Sequence, residues 1–168
     1  MSGDEARGEH EDDDVDVDDD DDDDADDVVV VNRSGVETCF GCGKENPLGL
    51  RLVFRRVGQG EVETRHRVAP HHCGVAEVVH GGIQTTILDE VMGVAAQLAL
   101  PPDAGLAPCV TVELSVRFRR PVPIGEEVVA RARLVGVEGR DYRVEGEIRG
   151  ADGVALTVAS SRWRQLGG

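Results

Sequence analysis

Asp89 sits between Leu88 and the pair Val91-Met92, in a segment whose apolar residues cover most of a helix circumference. A carboxylate in such a setting costs several kcal/mol unless it is paired, hydrated or put to use. In use, it would act as a general base towards water or as a nucleophile towards a carbonyl. Nine residues earlier stands His80, followed by Gly81 and Gly82. Two glycines at a helix start let a ligand come close to the backbone, and the unbonded amides of the first turn attract negative charge. A carbonyl becoming an oxyanion gains about 3–4 kcal/mol from each such donor. With a rise of ~1.5 Å per residue, Asp89 lies about 12 Å along the axis from Gly81, too far for both to act on one atom from one copy of the helix. A second subunit would supply the missing group. The plainer alternatives are that an arginine or solvent neutralises Asp89, and that Gly81-Gly82 only permits a tight turn.

The other chemically able residues are sulfur and imidazole. Cys39 and Cys42 form a Cys-x-x-Cys pair, and His71, His72 and Cys73 offer further soft ligands. The second group lacks the spacing of a zinc site, so packed thiols and turn residues are the expectation, with no metal centre and no cofactor. Cys109 opens a strand and reads as core.

These groups must be held by elements that the sequence patterning marks out. Leu50, Leu52 and Phe54 alternate with Arg51, Val53 and Arg55, and Val62, Thr64, His66 and Val68 alternate with charged neighbours across a Gly58-Gln59-Gly60 turn. Alternation on both sides of a turn predicts a hairpin with one wet face. One buried helix follows from Gly81 to about Leu100, stopped by Pro101-Pro102. Strands are then expected over Cys109 to Arg119, Glu127 to Val137, Asp141 to Arg149 and Val154 to Arg164, punctuated by turns such as Asp152-Gly153. Val28 to Val31 offers a further short strand or docking segment. Two strands, one helix and four strands give an α+β fold, one long helix wrapped by a curved antiparallel sheet of about five or six strands. A doubly wound α/β fold is excluded, because it needs a helix between successive strands.

Composition narrows the class. Of 33 acidic residues, seventeen lie in Met1 to Asp27 beside one arginine, so the net charge of −15 belongs to that segment and the remainder is nearly neutral. Such a run repels itself and has nothing to bury, which predicts a disordered acidic tail over residues 1–30, dispensable for activity, and one folded domain over 31–168. An acidic N-terminus does not fit a signal peptide, no apolar run reaches the ~20 residues that span a bilayer, and the body carries no strong basic excess. A soluble cytoplasmic protein that binds neither membrane nor nucleic acid is expected.

The stretch His80-Gly81-Gly82-Ile83-Gln84-Thr85-Thr86-Ile87-Leu88-Asp89-Glu90 resembles the helix of hotdog-fold acyl-CoA thioesterases of the 4-hydroxybenzoyl-CoA and phenylacetate-pathway type. Val112 to Val122, with its Arg119-Arg120-Pro121 close, looks like the strand after that helix. Cys39-Phe40-Gly41-Cys42-Gly43 with Asn46-Pro47 is similar to the opening of a subset of the family. The resemblance covers about residues 38 to 164 and implies the hotdog fold, hydrolysis of an acyl-CoA or aryl-CoA thioester, and a homodimer or dimer of dimers. It implies that Asp89 is the general base or nucleophile, that the amide of Gly81 or Gly82 polarises the carbonyl, that His80 shapes the turn, and that Thr111 orients water. Gln84, Arg117, Arg119 and Arg120 are candidate substrate-binding residues, the arginines for the phosphates of coenzyme A. Relatives carry a polar residue about six positions before the histidine, where this chain has Gly74. A non-catalytic acyl-CoA-binding hotdog module is the alternative function; a hotdog dehydratase needs a differently placed acid.

Overall fold

Alternation in the sequence becomes alternating burial in the strands. Val128, Ala130 and Ala132 point inward along one strand and Tyr142, Val144 and Ile148 along the next, each buried, while the arginines and glutamates between them face out. The structure, a computed structural model, describes residues 28–30, 36–100 and 109–166. The acidic run to Asp27 and the Pro101-Pro102 stop lie outside the described residues.

The strands are β1 (Val28–Val30), β2 (Phe54–Gly58), β3 (Glu61–Arg67), β4 (Cys109–Phe118), β5 (Glu127–Glu138), β6 (Asp141–Arg149) and β7 (Ala155–Gln165), and α1 is Gly81–Leu98. They form one antiparallel sheet in the order β1-β2-β3-β5-β6-β7-β4. This is the hotdog arrangement, one helix wrapped by a curved antiparallel sheet. Residues 28–30, placed by sequence at the end of the acidic tail, pair with β2 as the short outermost strand. The strand that follows the helix, β4, forms the opposite edge and pairs only with β7.

The helix is as buried as its composition requires: Ile87, Leu88, Val91, Met92, Val94, Ala95 and Ala96 are each at most 1 % exposed. The sheet admits it closely because small residues lie beneath it. A side chain at Gly146 would press on Met92, and one at Gly93 would meet the ring of Trp163 at 2.7 Å. Backbone bonds from Ala99 to Ala96 and from Leu100 to Gln97 tighten the last turn, so the helix ends at Leu98, two residues before the expected end.

One expected strand is shorter. Leu50, Leu52 and Phe54 are buried and alternate as read, yet the sheet ladder begins only at Phe54. The amides of Leu50 and Leu52 donate instead to Phe40 O (2.8 Å) and Gly41 O (2.9 Å) of the Cys39–Cys42 loop. Alternation reports which side is buried and not which backbone partner is used.

Candidate active site

The N-terminus of α1 is set by a loop that runs from the single 3-10 turn Pro70–His72 to Val79. The loop is pinned by short backbone bonds: Gly74 N–H to Val78 O at 2.9 Å, Val79 N–H to Val122 O at 2.8 Å and His80 N–H to His72 O at 3.0 Å. Gly74, where a polar residue was expected by resemblance, packs against His80, whose Cα would lie 3.1 Å from a Cβ added there. His80 is the N-cap, and its Nδ1 accepts the Gly82 N–H at 2.9 Å. Of the two candidate amides, Gly82 is therefore engaged within its own turn. Gly81 N–H has no partner among the described residues and remains the donor available to a ligand.

This end of the helix opens into a recess of about 580 Å³ bordered by Gly74, His80, Gly81, Gln84, Phe118 and Arg120. Phe118 packs over Gly81, close enough that a Cβ there would lie 3.3 Å from its ring. Arg119 and Arg120 stand at its rim, tied through their amides to Leu156 O. Arg117 does not join them; it lies with Arg131 and Arg133 in a groove on the outer face of the sheet, a groove that Arg119 also borders. Arg117 lies within β4, whereas Arg120 lies beyond the strand's end at Phe118. Gln84 is 4 % exposed and spends its amide inside the chain, Nε2 on Val79 O at 2.9 Å and Oε1 on the Thr157 hydroxyl at 2.5 Å. It braces the start of the helix against β7.

Asp89 lies two turns further on, half-buried, at the edge of a second recess of about 280 Å³ lined by Cys39, Glu90, Gly93, Cys109 and Trp163 among others. Thr111 Oγ1 donates to Asp89 Oδ1 at 2.8 Å. Thr111 reaches the carboxylate because β4 bulges between Thr111 and Glu113, while Thr111 itself stays in register with Trp163 on the helix side of the sheet. Burial pushes the Asp89 carboxyl up from its ordinary range, and the Thr111 hydrogen bond partly offsets that shift. Among the described residues Asp89 Oδ2 has no partner and no arginine forms an ion pair with the group.

Asp89 and Thr111 thus come together, as do His80, Gly81 and Gly82, but the two groups occupy different recesses at different turns of one helix. Sequence reasoning missed Glu90, whose Oε1 accepts from the Cys39 thiol at 3.3 Å. A second carboxylate in a buried helix was the available signal. His72 and Cys73 are not part of this cluster: the His72 ring lies tilted against that of His71, and Cys73 is exposed.

The chain is similar in sequence and fold to known proteins. Residues 76–157 match the family model described as thioesterase superfamily. The chain is 27 % identical over 114 residues to the acyl-coenzyme A thioesterase THEM4 of Bos taurus, covering 67 % of this chain and 44 % of that protein. Among solved structures, the thioesterase superfamily protein RHA08564 aligns with a TM-score of 0.68 at 29 % identity, over 77 % of this chain and 61 % of that one. A putative thioesterase of Ralstonia eutropha JMP134, titled a phenylacetic acid degradation-related protein, aligns with a TM-score of 0.61 at 26 % identity, over 68 % and 85 %. The chain spans about half the length of the curated relatives it matches.

Proposed function

This chain is a hotdog-fold member of the thioesterase superfamily, and from that premise we propose that it hydrolyses an acyl-CoA or aryl-CoA thioester to the free acid and CoA. The observation that carries the reading is the Asp89–Thr111 pair at the edge of a recess: one carboxylate oxygen is fixed by a hydroxyl at 2.8 Å and the other has no partner among the described residues. A carboxylate held this way, and made more basic by burial, suits the removal of a proton from water.

The thioester carbonyl oxygen rests on the Gly81 amide at the start of α1, where the His80 cap fixes the turn. Because that amide is far from Asp89 in one chain, the Asp89 that serves it belongs to a second copy. Asp89 takes a proton from water as the water oxygen attacks the carbonyl carbon, and the oxyanion that forms is held by the amide. Collapse breaks the carbon–sulfur bond, and the departing CoA thiolate takes up the proton from Asp89. Direct attack by the carboxylate would give an anhydride that water then opens, with the same products. Arg119 and Arg120, at the rim of the recess, suit the phosphates of CoA.

The test is steady-state release of CoA from a panel of acyl-CoA and aryl-CoA thioesters, comparing wild type with Asp89→Asn. The expected result is turnover on at least one member and a fall of about 100–10,000-fold in the variant, the worth of a positioned general base. Unchanged turnover in Asp89→Asn removes Asp89 from the reaction. No turnover by the wild type on any member, with acyl-CoA still bound, identifies a binding module instead.

A further inference from the structure

The Cys-x-x-Cys loop folds over the outward side of α1 at the residue next to Asp89. Its shape is dictated by glycine: a side chain at Gly41 would collide with that of Glu90, and one at Gly43 would collide with the backbone of Cys39 and Glu37. The loop closes on itself through Gly43 N–H to Cys39 O at 3.0 Å and is clamped by the Leu50 and Leu52 amides already described. The result brings the sulfurs of Cys39 and Cys42 and a carboxylate oxygen of Glu90 within 4.8 Å of one another. These residues are separated by about fifty positions in the chain, so the fold has gathered them.

We propose that Cys39, Cys42 and Glu90 bind a zinc ion that clamps the N-terminal loop to α1. Two thiolates and a carboxylate are zinc donors, and the two sulfurs select against magnesium and calcium. Bonds of about 2.3 Å to sulfur and 2.0–2.2 Å to oxygen set tetrahedral donors roughly 3.5–3.8 Å apart. The present grouping, with Cys39 Sγ 3.3 Å from Glu90 Oε1, needs only small side-chain adjustments to reach that spacing. An independent observation points the same way: Glu90 Oε2 is buried and has no hydrogen-bond partner among the described residues. A buried carboxylate oxygen without a partner is costly, and a cation is the partner that satisfies it. A Cys39–Cys42 disulfide would leave that oxygen as it is and remove the hydrogen bond from the Cys39 thiol to Glu90. Binding displaces a proton from each thiol, and water fills the fourth position. The inference does not depend on which thioester the protein takes, or on its being an enzyme.

The test is made on the full chain purified under reducing conditions. Bound zinc is measured by mass spectrometry, and the metal-stripped protein is titrated with zinc against a chromophoric chelator and with cobalt as a spectroscopic probe. The expected result is stoichiometric zinc and a cobalt spectrum with thiolate charge-transfer bands and intense tetrahedral d–d bands. Cys42→Ser should weaken zinc binding by more than the roughly 10–100-fold typical of losing an outer partner, Glu90→Gln by about 10-fold, and Cys73→Ser not at all. The cobalt spectrum is read on the wild type, so it decides the matter even where a cysteine variant does not fold. A reduced wild type with no thiolate–cobalt bands, undiminished zinc binding in Cys42→Ser, or equal loss in Cys73→Ser would each overturn the proposal.

Discussion

At the scale of single residues, the centre depends on Thr111. Its hydroxyl holds one oxygen of Asp89 at 2.8 Å, and in the proposed reaction the other takes the proton from water. Thr111→Val keeps the volume and removes the donor. Because a hydrogen bond to a charged group contributes ~1.5–3 kcal/mol, kcat should fall by about 10–100-fold with little change in KM, and Thr111→Ser should restore most of it. A uniform rise in KM with kcat intact, or no rescue by serine, would make Thr111 a structural residue. Residue types and spacing pointed to Asp89, His80, Gly81 and Gly82, and the family resemblance added Thr111. They did not say which glycine amide is free, because that depends on the His80 rotamer, nor that Gln84 is consumed by Val79 and Thr157, because Thr157 is 73 positions away. Arg117 illustrates the same limit: charge was legible, but which face of the strand it occupies relative to the site was not.

At the scale of elements, the periodicities carried most of the fold. The helix was legible because its apolar residues leave little room for a wet face, and strands β5, β6 and β7 because Val, Ala and aromatic residues recur at every second position. What alternation could not show is backbone partnership, and the Leu50–Leu52 segment pairs with the cysteine loop for that reason. Helix and sheet approach closely at Gly93, which faces the Trp163 ring. Gly93→Ala should gain about 1 kcal/mol of helix propensity and lose about 1–3 kcal/mol to overpacking, a net destabilisation on the order of 1 kcal/mol in denaturant melts. Trp163→Phe shortens the ring, so in that background the same change should cost less or become favourable. Additive effects in the double mutant would show that the contact does not set the distance between helix and sheet.

At the scale of the molecule, the two recesses at different turns of α1 and the unpaired edge of β4 point to one assembly. That edge exposes Val110 (38 %), Val112 (42 %) and Phe118 (55 %) beside a row of backbone groups with no second strand to bond among the described residues. Such an edge is a template for pairing with another chain. The protein should elute as a dimer or a larger even assembly, and Val112→Lys should shift it towards monomer. Hydrolysis should fall in parallel although Asp89 is untouched. An active wild-type monomer at micromolar concentration, seen by light scattering, would refute a centre shared between copies.

Strand order also has a consequence for how the protein comes into being. β4 follows the helix directly in the chain, yet its sole ladder partner among the described residues is β7, which leaves a ribosome after β1 to β6. The Asp89–Thr111 pair therefore waits on non-local closure, the slow kind of folding step, and chains cut short before β7 have no wall on which to hang Thr111. The carboxylate proposed as the general base is synthesised in the middle of the chain, but the hydroxyl that holds it is seated only once β7 is in place.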